Sequence, residues 1–133
     1  MYFEEFDRFI ALDFSVDQWS DHSMDIATST VKDFTADDWQ KLLEVVGRRD
    51  GTWRVKLAQS LGEVRSDAAF HCLCLLLDTS DTEVFVAAAD SLREFDSLAS
   101  APLDVEELKQ RYAALESKDS IDDLVVADFF RRF

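Results

Sequence analysis

Residues Ala36–Phe95 repeat at an offset of 31 positions, and no other property of the chain restricts its fold as much. ADDWQKLLEVVGRRDGTWRVKLAQSLGEV lies over DAAFHCLCLLLDTSDTEVFVAAADSLREF, with identities at Leu42/Leu73, Asp50/Asp81, Val55/Val86, Ala58/Ala89, Ser60/Ser91, Leu61/Leu92 and Glu63/Glu94. Trp39/Phe70, Val45/Leu76, Val46/Leu77 and Trp53/Val84 agree in apolar character. Agreement concentrated at positions that would face a core is what one packing unit used twice leaves in a sequence. Each unit reads as two short helices. Thr35 is the expected N-cap of the first, with Asp37 and Asp38 complementing the helix dipole. The pattern carries Trp39, Leu42, Leu43, Val45 and Val46 to about Gly47, turns at Asp50-Gly51 and continues through Thr52–Val64 with Trp53, Leu57, Ala58, Leu61 and Val64 inward. Ser66 caps Asp67–Leu77, apolar on nearly every side through FHCLCLLL and so in need of neighbours on both flanks. Thr82–Phe95 follows, with Val84, Ala88, Ala89, Leu92 and Phe95 inward.

The flanks are less regular. Tyr2–Leu12 spaces Phe3, Phe6, Phe9 and Ile10 as an amphipathic helix. From 13 to 35 the chain is rich in Ser, Thr and Asp with single apolar anchors. A short helix from Ser15 and strand-like alternation at Met24, Ile26 and Thr28 are both open, and the stretch reads as an irregular arm. After a break at Ser97–Pro102, Asp104–Glu116 places Val105, Leu108, Tyr112 and Leu115 on one face. Ile121–Arg132 echoes Val86–Phe95 at a spacing of 38, through Ala89/Ala127, Asp90/Asp128, Arg93/Arg131 and Phe95/Phe133. A third, degenerate pair is what a terminal unit with one wet face would look like. The 133 residues therefore read as one all-α domain: residues 1–34 a helix and arm, 35–65 and 66–96 two repeats, 103–133 a capping repeat.

Composition narrows the function classes. Apolar residues make up 47% of the chain, enough for a core despite a net charge of −14. Such a charge argues against nucleic acid and anionic lipid as partners and favours a basic protein. The charge is uneven: a basic island at Arg48–Arg65, net +3, lies between flanks of −8 and −9, and an internal role tying helix ends to acidic turns would account for it. Cys72 and Cys74 point about 200° apart on one helix, so they neither bridge nor share a metal and suit a reducing cytoplasm. MYFEEFDRF carries acids where a signal peptide needs bases, and no apolar run approaches about 18 residues. A cytoplasmic protein without a membrane span is expected.

Asp50–Gly62, D-G-T-W-R-V-K-L-A-Q-S-L-G, resembles the second helix of a HEAT-like repeat, and the period near 31 resembles the short repeats first associated with bilin lyases. The resemblance covers Ala36–Phe95 well, Asp104–Phe133 poorly and Met1–Phe34 not at all. It implies a short right-handed solenoid of stacked antiparallel helix pairs, about three pairs plus the N-terminal arm. In that family a turn Asp and a helix Arg form a ladder between repeats. Asp50 and Asp81 occupy the Asp position, but only Arg54 matches the Arg; Phe85 stands in its place in the second unit, so the ladder is expected to be interrupted and Phe85 to be covered by a neighbour.

Nothing in the chain marks an enzyme. His22 and His71 lie in different segments, there is no glycine-rich phosphate loop or H-E-x-x-H, and no Cys/His set has metal-ligand spacing. Pairs such as Asp37/Asp38 and Asp122/Asp123 are expected by chance in so acidic a chain. No catalytic residue, metal or cofactor is expected.

The resemblance puts second helices on the concave side of the stack, where Lys56, Gln59, Glu63, Glu83, Asp90, Glu94 and Asp128 would line a groove, mildly basic at its first unit and acidic beyond. An acidic groove with aromatic edges suits a cationic protein. Some bacterial immunity proteins are built on HEAT-like repeats, so the leading expectation is a non-catalytic module that neutralises a basic toxin. The alternative is an auxiliary, lyase-like or scaffold role on a chromophore or partner protein, with Trp19, Trp39, Trp53 and Phe85 lining an apolar pocket.

Overall fold

The computed structural model describes residues 2–95 and 103–132, and these are helical with no strand among them. The proposed break at Ser97–Pro102 and the final Phe133 lie outside the described residues. The elements are α1 (Tyr2–Ile10), α2 (Val16–Gln18), a π-helical turn (Trp19–Ser23), α3 (Met24–Lys32), α4 (Ala36–Val45) with a 3₁₀ turn (Val46–Arg48), α5 (Gly51–Ser60), α6 (Asp67–Leu76), α7 (Thr82–Leu92), α8 (Val105–Ala113) and α9 (Ser120–Arg131).

Short polar side chains start these helices because each supplies an acceptor to N–H groups that have no partner within the helix. Ser15, Thr35, Asp50, Ser66, Asp81, Asp104 and Asp119 all do so, and Ser15, Thr35 and Asp119 form reciprocal boxes with Gln18, Asp38 and Asp122. Asp50-Gly51 is thus the start of α5 and not a separate turn.

The largest correction concerns residues 13–35. The segment is neither irregular nor strand-like: α2, the π turn and α3 follow one another without interruption from Val16 to Lys32. Its inward residues are Trp19, Ser23, Ala27, Thr28 and Val31, a face too small and polar to register as an apolar stripe. The anchors Val16 and Ile26 point outward, 81% and 53% exposed.

The helices pack in sequence. α5 lies chiefly against α7, α7 also against α6 and α9, α3 against both α1 and α5, and α1 reaches α4. The row α3, α5, α7, α9 is therefore contiguous, and α1 with α3 precedes the two repeats as a further helix pair. Ala27, Ala58 and Ala89, 31 residues apart and each fully buried, let these helices approach closely. Hydroxyls cross the same seams: Thr28 Oγ1 donates to the Ser60 carbonyl at 2.9 Å, and Ser91 Oγ to the Ala58 carbonyl at 2.6 Å.

Leu57, Leu61, Leu73, Val84, Phe85 and Leu92 are almost wholly enclosed, each contributing about 1.5–3 kcal/mol by leaving water. Phe85 stacks at 5.4 Å on Tyr112 of α8, which covers it. Phe129 is buried, with Phe130 against it at 5.3 Å.

Candidate functional site

The basic island is largely consumed inside the fold. Arg49 makes a two-pronged bond to Asp7 of α1, at 3.0 and 2.7 Å, and the same carboxylate accepts the Trp53 indole N–H at 3.0 Å. The Lys56 ammonium donates to the carbonyls of Ile10 (3.2 Å) and Leu12 (2.7 Å), closing the end of α1, and rests over the Phe14 ring. Arg65 donates to the Gly62 carbonyl and lies over Phe95. Arg54, the one residue matching the ladder arginine, has a buried Nε with no acceptor, and no ion pair among the described residues joins it to Asp50 or Asp81. Those two aspartates serve as N-caps instead.

Four of the seven candidate contact residues come together. Gln59, Glu63, Asp90 and Glu94 line one depression of about 410 Å³, with Trp19, Ser20 and Met24 as its second wall and Gly62, Arg65 and Ser91 completing the lining. Gln59 accepts the Trp19 indole N–H at 2.6 Å, fixing the aromatic wall to α5. Asp90 pairs with Arg93 at 2.7 Å, and Arg93 also reaches Asp128 of α9 at 3.1 Å, which Arg131 and Arg132 contact as well. These arginines hold the Asp128 carboxyl below its ordinary range, Arg93 foremost. Glu63 and Glu94 are exposed and have no ion-pair partner among the described residues. They are the acids left unneutralised in the depression.

The other three candidates lie elsewhere. Lys56 is held by α1, as above. Asp128 is next along the row but outside the depression. Glu83 lines a separate hollow of about 830 Å³ between the start of α7 and the end of α8, with Asp81, Thr82, Arg111 and Glu116. Trp19, expected only in an apolar pocket, and Met24, expected in no site, form this wall because the arm that carries them is helical throughout, whereas its sequence offers single apolar anchors without a regular stripe. The recurrence of Ala27 ahead of Ala58 and Ala89 was the clue available.

The described residues contain no group of three or more His, Cys, Asp or Glu placed to hold a metal ion. Cys72 and Cys74 are free, and burial pushes their thiols up to about 12 and about 11. The aromatic residues considered for a chromophore pocket share none of the hollows described among these residues. Trp19 edges the depression, Trp53 packs under Arg49, Phe85 lies beneath Tyr112, and Trp39 lines a different cleft. No described helix is long and apolar enough to cross a membrane. No protein-family model, curated protein or solved structure matches the chain.

Proposed function

We propose that the chain is a non-catalytic binding module of the immunity or inhibitor kind, a short HEAT-like solenoid that docks a basic cytoplasmic protein through the acidic depression between α3, α5 and α7. The observation that carries this reading is the pairing of uncommitted charge with apolar wall: Glu63 and Glu94 face Trp19 and Met24 across one hollow. Charge of that sign speeds encounter with a cation, and the half-buried Met24, backed by the enclosed Trp19, gives the apolar contact that slows release. Neighbouring cations are already bound to carboxylates or carbonyls, so the acids are left for a partner.

The test uses the double substitution Glu63→Lys/Glu94→Lys, which breaks no ion pair described above. Wild type and variant serve as baits in extract of the native cell, and association with the retained protein is then timed at low and high salt. A partner that associates about tenfold more slowly with the variant, and more slowly with wild type as salt rises, supports the reading. Equal rates for both baits, or indifference to salt, refutes it.

A further inference from the structure

A second surface lies on the first helices of the pairs and shares no residue with the depression. Ala36, Trp39, Gln40, Leu43 and Glu44 of α4 face Ala68 of α6 across an open cleft of about 770 Å³. The α4 residues recur at i, i+3, i+4, i+7 and i+8, one helical face about 12 Å long. Its floor is carbon: the Trp39 ring, Leu43 and two alanine methyls. Trp39 stands edge-on to Phe34 at 5.3 Å and is only half-buried. Trp19 and Trp53 donate their indole N–H groups to Gln59 and Asp7, whereas that of Trp39 has no acceptor among the described residues. A half-buried tryptophan with an unused donor, set in an apolar cleft, fits a ligand bearing both an apolar anchor and a carbonyl.

The rim decides what kind of ligand. Asp37 and Glu44 lie on the same flank of α4, Asp67 stands beside Ala68, and all three are exposed. Lys41, on the same helix, pairs with Glu4 of α1 at 3.2 Å and also interacts with Asp37. An apolar floor with Glu44 and Asp67 on its rim, both without an ion-pair partner among the described residues, is complementary to an apolar stripe flanked by cations. We infer that the α4–α6 cleft is a docking site for a short amphipathic helix with lysine or arginine beside its apolar face, carried by a protein partner. Two turns of such a helix match the length of the α4 face, with anchors at i and i+3 or i+4 meeting Trp39 and Leu43.

The probe is a synthetic helical peptide of Leu and Lys, about 18 residues long, compared with an all-Lys peptide of equal charge and a Leu/Glu peptide. The protein is labelled with 5-fluorotryptophan, and Trp39→Phe assigns the resonance. The expected result is a saturable shift of the Trp39 signal with the Leu/Lys peptide alone, the Trp53 signal staying in place. Ala68→Glu fills the cleft while adding attraction, so it should weaken binding about tenfold or more; Asp37→Lys/Glu44→Lys should weaken it too. Glu63→Lys/Glu94→Lys should leave it unchanged, which separates this site from the depression. The inference is overturned if the peptide binds without moving Trp39, if Ala68→Glu binds as well as wild type, if the Leu/Glu peptide binds equally, or if sedimentation shows the cleft closed by a second copy.

Discussion

Gly51 offers the sharpest test of how α5 and α7 meet. A methyl group built on Gly51 would sit 2.2 Å from Asp81 Oδ2 and 3.3 Å from Asp81 Cγ, with Val84 at 3.9 Å. Asp81 cannot simply swing aside, because its Oδ1 caps α7 by accepting from Glu83 N at 3.0 Å and Val84 N at 3.4 Å. Gly51 has an ordinary negative φ, so alanine suits its backbone and would gain about 0.4–1 kcal/mol by restricting the unfolded chain. Against that stand loss of the cap, about 1 kcal/mol, or separation of the helices, about 1–3 kcal/mol. The cheaper of these two responses sets the cost, and with cap loss reaching about 2 kcal/mol at most, Gly51→Ala should destabilise by up to about 1.5 kcal/mol net. Gly47 is the internal control: nothing lies within 4 Å of its added methyl, and Gly47→Ala should stabilise by about 0.4–1 kcal/mol. Urea unfolding followed by circular dichroism would show the two midpoints moving in opposite directions with the slope unchanged. Asp81→Ala loses the cap but clears the space, so adding Gly51→Ala to it should cost nothing further or restore stability. The reasoning fails if Gly51→Ala is as stable as Gly47→Ala, or if its penalty persists in the Asp81→Ala background.

Asp38 gives an acid-dependent effect. Burial opposes its charge, but the Thr35 N–H, the Phe3 N–H and the Thr35 hydroxyl all donate to it and hold it ionised well below the ordinary carboxylate range. Its contribution is thus complete above the unfolded value of 3.8 and is lost as pH falls below it; Asp38→Asn should flatten the fall in stability between about pH 4 and 2 measured by urea midpoints. Lys56→Met should cost about 1 kcal/mol, through the freed carbonyls of Ile10 and Leu12, and leave partner association rates unaltered. Cys72, wholly buried and with its thiol raised to about 12, should resist iodoacetamide at pH 8 until the protein unfolds, as followed by mass spectrometry.

The two central repeats were legible because their helices begin at strong capping residues and bury large side chains at helical spacing. Trp53, Leu57, Ala58, Leu61 and Val64 are all inside, as are Val84, Ala88, Ala89, Leu92 and Phe95. The pair before them was not, for a physical reason: its inner face is made of Trp19, Ser23, Ala27, Thr28 and Val31. These recur mostly every four residues, and the π turn absorbs the departure from 3.6, so a search for regular apolar periodicity finds nothing. The depression was half legible for the same cause. Gln59, Glu63, Asp90 and Glu94 follow from the exposed positions of the repeats, whereas the wall they face belongs to the unread segment. Lys56 was placed on that surface from its helical position alone, but its reach to the carbonyls of α1 is a long-range contact that spacing within α5 does not disclose.

The contiguous row of α3, α5, α7 and α9 also bears on how the molecule would yield to a mechanical load. Each of its helices is gripped chiefly by its immediate neighbours, so among the described residues tension along the row meets no single clasp spanning the whole. Rupture would begin at an end and travel inward hairpin by hairpin. Each 31-residue release would lengthen the chain by about 100 Å, a sawtooth whose step reports the internal period of the sequence.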